Sequence, residues 1–256
     1  MKKTIIITGA SSGLGAALAI KYSESKNNLF LFGRSSERLQ KISDLCKNNG
    51  SSVTTLIVDI TDANLMQKSL KKITKTHSVD IVIACAGVSA GTLSGPETPN
   101  QVNKIFTTNL NGVLNTVMPL IPHMIQKQSG NIAIISSMAG LLGLSSAPSY
   151  SASKGGVRMF SDALNGYLKK YNVHVSTVIP GYIKTPMTEV NNFPMPLQIS
   201  AEQAADKIIH GIGKNKGVIA FPIIIYFILK ILGLLPSAIM SYINSKLPGK
   251  PAFEEK

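Results

Sequence analysis

Tryptophan is absent from this 256-residue chain, cysteine occurs twice and histidine four times. Two cysteines make no disulfide framework, so a reducing compartment fits. Cys85 sits inside the apolar run IVIACAG and reads as a small buried hydrophobe rather than a ligand. His77, His123, His174 and His210 show no metal-ligand spacing, so no metal is expected. Acids are scarce as well: 13 Asp and Glu stand against 26 Lys and Arg, giving a net charge of +13. Only three of those 26 are arginines (Arg34, Arg38, Arg158), and no basic run interleaves with aromatics. Nucleic acid is therefore not an expected partner, despite the charge. No long apolar run precedes residue 218, and Ile5–Ile7 behind Lys2 and Lys3 is too short for a signal peptide. The expected location is cytoplasmic.

What is present is a core-forming composition, 44% hydrophobic and 15% charged, which excludes a disordered chain. Apolar, β-branched runs alternate with helix-period segments. TIIIT (4–8), NLFLFG (28–33), SVTTLIVD (52–59), DIVIACAG (80–87), GNIAIISS (130–137), VHVSTVIPG (173–181) and GVIAF (217–221) read as strands, the fourth running into a glycine turn. Helices are expected over 62–76, 101–127, 148–171 and 200–213, with Pro119 and Pro122 kinking or dividing the second. Such alternation predicts an α/β fold, a doubly wound parallel sheet of seven strands with right-handed crossovers. The expected division is one domain over 1–221 and an apolar extension over 222–256.

Two stretches carry chemistry. GASSGLG (9–15) joins the first strand to a helix. Glycines let backbone approach a ligand, and a helix start offers free N–H groups to an anion. The spacing Gly9-x3-Gly13-x-Gly15 differs from GxGxxG, and a glycine-rich tight turn without a ligand reads the same way. After the second strand, Gly33 and Arg34 stand where a Rossmann fold meets the adenosine ribose. No acid is present at 33–36, and an Arg there can pair with a 2′-phosphate. The second stretch, 137–154, reads SMAGLLGLSSAPSYSASK. On a helix starting at Pro148, Tyr150 and Lys154 share one face. An ammonium beside the phenol is expected to lower its pKa, and Ser137 at a strand end could help clamp a carbonyl oxygen. YSASK alone also fits a polar helix start.

In the same order and context, TGASSGLG (8–15), Asn109 in TTNLNG, the Ser137–Tyr150–Lys154 set and PGYIKTPM (180–187) give a chain that resembles the short-chain dehydrogenases/reductases from residue 4 to about 221. The resemblance implies a Rossmann-like fold and a carbonyl–alcohol oxidoreductase using NADP(H), with NAD(H) as the alternative. It implies that Tyr150 exchanges a proton with the substrate oxygen and that Lys154 tunes it and holds the nicotinamide ribose. Ser137 then bonds the substrate oxygen, and Asn109 fixes a water in the proton relay. Cofactor contacts are implied for Gly9, Ser11, Ser12, Gly13, Leu14, Gly15, Arg34, Asp59, Ile60, Ala86, Gly87, Pro180, Gly181, Ile183 and Thr185, besides Tyr150 and Lys154. The family's NNAG after strand four is ACAG here (84–87), which removes an amide near the adenosine side. Members commonly pair through helices matching 101–127 and 148–171, so a homodimer or homotetramer is expected. A cofactor-binding sensor or scaffold without turnover is the competing class.

The substrate itself is not written in the motifs. Met138, Leu141, Leu142, Leu144, Met187 and Phe193 suggest an apolar lining and a lipophilic carbonyl or alcohol. The tail VIAFPIIIYFILKILGLLPSAIMSYI (218–243) carries one charge, Lys230. Once GVIAF is assigned to the sheet, only 13 residues precede Pro236, short of the roughly 20 a bilayer span needs. Six lysines and no acid lie between Lys207 and Phe253. The segment 222–246 therefore reads either as a helix packed over the cleft or a partner subunit, or as one lying in an anionic membrane surface, such as the inner face of a membrane.

Overall fold

The computed structural model describes residues 2–93, 95–246 and 249–253. Seven parallel strands form one sheet: β1 (Thr4–Thr8), β2 (Asn28–Gly33), β3 (Ser52–Ile57), β4 (Ile81–Ala84), β5 (Gly130–Ile135), β6 (Val173–Pro180) and, last in the chain, β9 (Val218–Phe221). A separate two-stranded pair is made by β7 (Ile183–Lys184) and β8 (Ile199–Ser200). The large sheet has the order β3-β2-β1-β4-β5-β6-β9. Chain direction across the sheet reverses between β1 and β4, which opens a crevice at their carboxyl ends.

Alternation within β1 assigns its residues to opposite layers. Ile5 and Ile7 point to one core with Leu18, Leu39 and Ile208. That layer is covered by α1 (Gly13–Ser23), α2 (Ser36–Asn48) and α9 (Ala201–Gly213). Ile6 joins Phe30, Phe32, Met66, Leu70, Val117, Met124 and Leu164 on the other side. There the cover is α3 (Ala63–Thr76), α4 (Pro99–Phe106), α5 (Gly112–Val117), α6 (Ile121–Lys127) and α7 (Pro148–Leu168). Each fully buried Ile or Leu contributes roughly 1.5–3 kcal/mol, so the two layers rather than helix propensity hold the elements in place.

The element limits differ from the sequence expectation in instructive places. Strand β3 ends at Ile57, two residues before Asp59. The segment 101–127 is not one helix. It starts earlier, at Pro99 behind the Thr98 cap, and passes through a π-helical turn at Thr107–Asn111 and a 3-10 turn at Met118–Leu120. Pro119 lies within that second break, as a missing N–H donor requires. The tail forms two helices, α10 (Ile223–Leu232) and α11 (Ser237–Ser245), while α8 is a single turn at Pro186–Glu189.

Candidate active site

The crevice at the β1–β4 reversal is a cleft of about 270 Å³. All of the expected cofactor residues line it: Gly9, Ser11, Ser12, Gly13, Leu14, Gly15, Arg34, Asp59, Ile60, Ala86, Gly87, Tyr150, Lys154, Pro180, Gly181, Ile183 and Thr185. Ser137 and Met187 line it too, and Arg38 joins them unforeseen.

The floor is the glycine loop. Gly9 has φ +69°, and a Cβ there would stand 2.8 Å from the Ala86 Cα. Only glycine meets both demands, the left-handed backbone and the close approach of the β4 turn. Ser12 then starts α1 in extended geometry with no side-chain cap bond, and the first turn holds no acid. The helix start thus presents N–H groups and positive dipole to the cleft without an internal counter-anion. This donor set fits a dinucleotide pyrophosphate. At the adenosine side, Gly33 contributes no side chain, and Arg34 Nη1 lies 3.7 Å from Asp59 Oδ2. Both side chains are substantially exposed, so this pair contributes little and opens easily. Asp59 also accepts from the Thr61 backbone N–H and hydroxyl, each at 2.9 Å.

The reacting end is built where α7 meets β4 and β5. Pro148 occupies the first turn of α7, where no N–H is needed. Ala147 at its N-cap cannot cap with a side chain. Glu97 does so from 52 residues away, accepting from Ser149 N (3.0 Å) and Ser149 Oγ (2.8 Å). That carboxylate also complements the helix dipole. Gly140 lies directly on the α7 backbone, since a Cβ there would come 2.6 Å from the Lys154 carbonyl carbon. Ser136 Oγ donates to the Lys154 carbonyl at 2.8 Å. These two contacts set Ser137, with extended backbone at the end of β5, beside Tyr150.

Asn109 is fully buried in the π turn. Its Oδ1 accepts from Val88 N (2.8 Å), and its Nδ2 donates to Val88 O (2.9 Å) and Ser153 Oγ (3.1 Å). One amide therefore ties the β4 turn to α7. A Cβ on Gly87 would lie 3.2 Å from Asn109 Oδ1 and 3.5 Å from Lys154 Nζ, so the amide oxygen and the ammonium border the same small space.

The electrostatics differ from the sequence expectation. Burial holds the Tyr150 phenol above its usual range, and hydrogen bonds with the hydroxyls of Ser137 and Ser89 offset part of that rise. Lys154 Nζ is 5.9 Å from the Tyr150 ring centre and donates instead to the Ile135 carbonyl at 2.8 Å. Burial lowers the Lys154 ammonium to about 8. Nearby, burial pushes the Cys85 thiol up to about 12, which leaves it a neutral hydrophobe at physiological pH.

Of the expected substrate-lining residues, Met187 borders the cleft and is exposed. Met138 is buried against Ile179 and Tyr226 of α10, with Leu141 packed on that cluster. Leu144 N donates to Ser151 Oγ at 3.2 Å, which holds the 141–147 loop to α7. Phe193 meets the Tyr182 ring edge-on at 6.2 Å. The sequence did not point to Arg38, Ser89 or Glu97. Arg38 was legible as a cation four residues after Arg34. The other two arrive by tertiary contact.

Comparisons with known proteins agree with this geometry. The family model for short chain dehydrogenases matches residues 3–194. An uncharacterised oxidoreductase of Myxococcus xanthus is 32% identical over 222 residues, covering 86% of this chain and 87% of that one. A 3-oxoacyl-[acyl-carrier-protein] reductase of Chlamydia muridarum is 30% identical over 191 residues, covering 74% and 77%. A short chain dehydrogenase from Mycobacterium paratuberculosis, solved bound to NAD, superposes with a TM-score of 0.76 at 25% identity, covering 85% of this chain and 94% of that one. With the glycine loop and the Ser–Tyr–Lys set bordering one crevice, and the buried Asn109 bonded to Val88 and Ser153 beside it, the chain belongs to the short-chain dehydrogenase/reductase family, an NAD(P)-dependent oxidoreductase.

Proposed function

We propose that the protein interconverts a carbonyl and an alcohol, with Tyr150 as the proton-exchanging group and NADP(H) as the preferred cofactor. The observation that carries the reading is the placement of Tyr150, Ser137 and Lys154 on one cleft with the glycine loop. When bound, the nicotinamide supplies or accepts hydride. In reduction, negative charge grows on the substrate oxygen. Ser137 Oγ donates a hydrogen bond to that oxygen, and Tyr150 gives it a proton. Lys154, an ammonium below about pH 8, lies close enough to favour the phenolate that remains. Asn109 holds the β4 turn against α7, and its Oδ1 keeps a free lone pair for a water that returns the proton. Tyr150→Phe retains the ring and removes the proton, so turnover should fall by at least ~100-fold, while cofactor titration by fluorescence stays unchanged. Near-parental turnover in the Phe variant would refute the assignment.

The preference for NADP(H) rests on Arg34, supported by Arg38 on the same wall and by the missing acid after β2. The pull of Asp59 on Arg34 works against it, as does the NAD in the Mycobacterium relative. A charge-assisted bond contributes about 1.5–3 kcal/mol when enclosed; exposure of Arg34 reduces this. Arg34→Ala should weaken NADPH binding by roughly fivefold to tenfold and leave NADH nearly unaffected. Equal affinities for both cofactors in the parent protein would contradict the preference.

A second reading concerns location and rests on the tail. Helix α10 buries Tyr226 against Met138 and Ile179, but Ile223, Ile224, Phe227, Ile228 and Ile231 are exposed, as are Leu234, Ile239 and Tyr242 beyond them. Among the described residues, no helix is long and apolar enough to cross a membrane. An exposed apolar face with Lys230 and Lys246 beside it suits peripheral contact with an anionic lipid surface. The parent protein should co-sediment with phosphatidylglycerol-containing vesicles at low salt and release at high salt. The triple change Ile224→Glu, Phe227→Glu, Ile231→Glu alters only exposed positions and should abolish binding. Absence of parental binding at low salt would sink this reading.

A further inference from the structure

Residues 249–253 return from α11 and lie along the loop that follows β4. Gly91 N donates to the Pro251 carbonyl and Leu93 N to the Lys250 carbonyl, both at 2.8 Å. Phe253 N donates to Gln101 Oε1 at 3.3 Å, and Gln101 Nε2 returns to the Gly91 carbonyl at 3.0 Å. Lys104 caps the arrangement with its ammonium 4.2 Å above the Phe253 ring. The fit depends on glycine: a Cβ on Gly91 would strike the Lys250 Cβ at 2.6 Å. The strap is thus specified by side chains on two segments, not draped over the surface.

Its effect is to carry Lys250 to the catalytic centre. The Lys250 ammonium stands 5.5 Å from the Tyr150 ring centre, a second cation beside Lys154 at 5.9 Å. Lys154 has the Ile135 carbonyl. Among the described residues, Lys250 has neither a carboxylate within ion-pair range nor a hydrogen-bond acceptor. Burial lowers its ammonium to about 8, so it is largely charged at neutral pH. A ring face is a weak partner for an ammonium withdrawn from water. Close by, Ser89 Oγ is buried without a hydrogen-bond partner, yet near enough to Tyr150 to favour its phenolate. A half-buried ammonium with no anion beside it among the described residues, and a buried Ser89 hydroxyl whose bonding is confined to Tyr150, flank the reacting phenol as two donors suited to an anion.

We infer that Lys250, held by the strap and assisted by Ser89, recognises a carboxylate on the substrate, which makes the substrate an otherwise apolar keto acid or its hydroxy-acid counterpart. The inference rests on the oxidoreductase reading of the same site. It assigns Lys250 a recognition role distinct from the proton transfer of Tyr150. The carboxylate must lie within a few bonds of the carbonyl, because Lys250 and Ser137 both face Tyr150.

The test is calorimetric titration of the full chain with saturating oxidised cofactor, so that no turnover occurs. The probes are pyruvate, acetoacetate and levulinate, each beside its methyl ester. At least one acid should bind the parent protein ten times more tightly than its ester. Lys250→Met, which keeps the stem and removes the charge, should erase that margin, while Lys250→Arg should keep most of it. Thermal melts of both variants check that the strap still closes. No acid preference in any pair, or a Met variant that retains the preference, overturns the inference. Turnover of neutral ketones without acid preference would overturn it and leave the reductase reading intact. Acid-selective binding without turnover of any probe would do the reverse.

Discussion

Everything chemical here depends on how the first turns of α7 dock against the ends of β4 and β5. Three contacts make that junction. Gly140 lies on the helix backbone, Ser136 holds the Lys154 carbonyl, and Asn109 reaches from the π turn to Val88 and Ser153. None of these groups needs to touch a substrate for the site to require them. If the junction shifted by an ångström, the Ser137 and Tyr150 hydroxyls would lose their mutual placement, and positional error of that size is expensive in catalysis. The π turn is the local consequence. It widens one helical turn so that a fully buried amide can face inward, as such bulges commonly do at functional sites.

The cofactor end follows a different logic. It is made of backbone rather than side chains: a left-handed Gly9, an uncapped α1 start and the bare Gly33. Backbone donors cost little entropy to organise, because the sheet and α1 already fix them. Charge enters only at the edge, through Arg34, Arg38 and Asp59. At the substrate end the balance reverses. Buried hydroxyls and ammonium groups crowd around Tyr150, in surroundings where unpaired polar atoms are costly.

The seven strands and their parallel sheet were legible in the sequence because strands buried on both faces read as continuous apolar runs, TIIIT and IVIA above all, whereas the strand order comes from the fold. The glycine loop and the Tyr–Lys spacing were legible because each is a local pattern of backbone or helix geometry. The limits of the central helix were not. TTNLNG carries no signal for a π turn, which arises from the fit of Asn109 between β4 and α7. The cap of α7 was hidden for the same reason, since Glu97 reaches Ser149 across 52 residues. The expected lowering of the Tyr150 pKa by Lys154 treated the pair in isolation. In the fold, burial raises the phenol instead, and hydrogen bonds with two serine hydroxyls, rather than the ammonium, oppose that rise. The tail was read as one apolar segment with two possible fates. Tyr226 packs inward while the neighbouring isoleucines face out, and the strap beyond it had no sequence signature at all.

The proposed service of this junction is hydride transfer to a carbonyl carbon. The measurement is to supply reduced cofactor deuterated at the transferable nicotinamide position, with a panel of ketones and keto acids, and to analyse the alcohol by mass spectrometry. One deuterium is expected on the carbinol carbon of an accepted substrate, with oxidised cofactor formed in equal amount. Alcohol formed without the label, or no alcohol from any carbonyl compound despite cofactor binding, would contradict it.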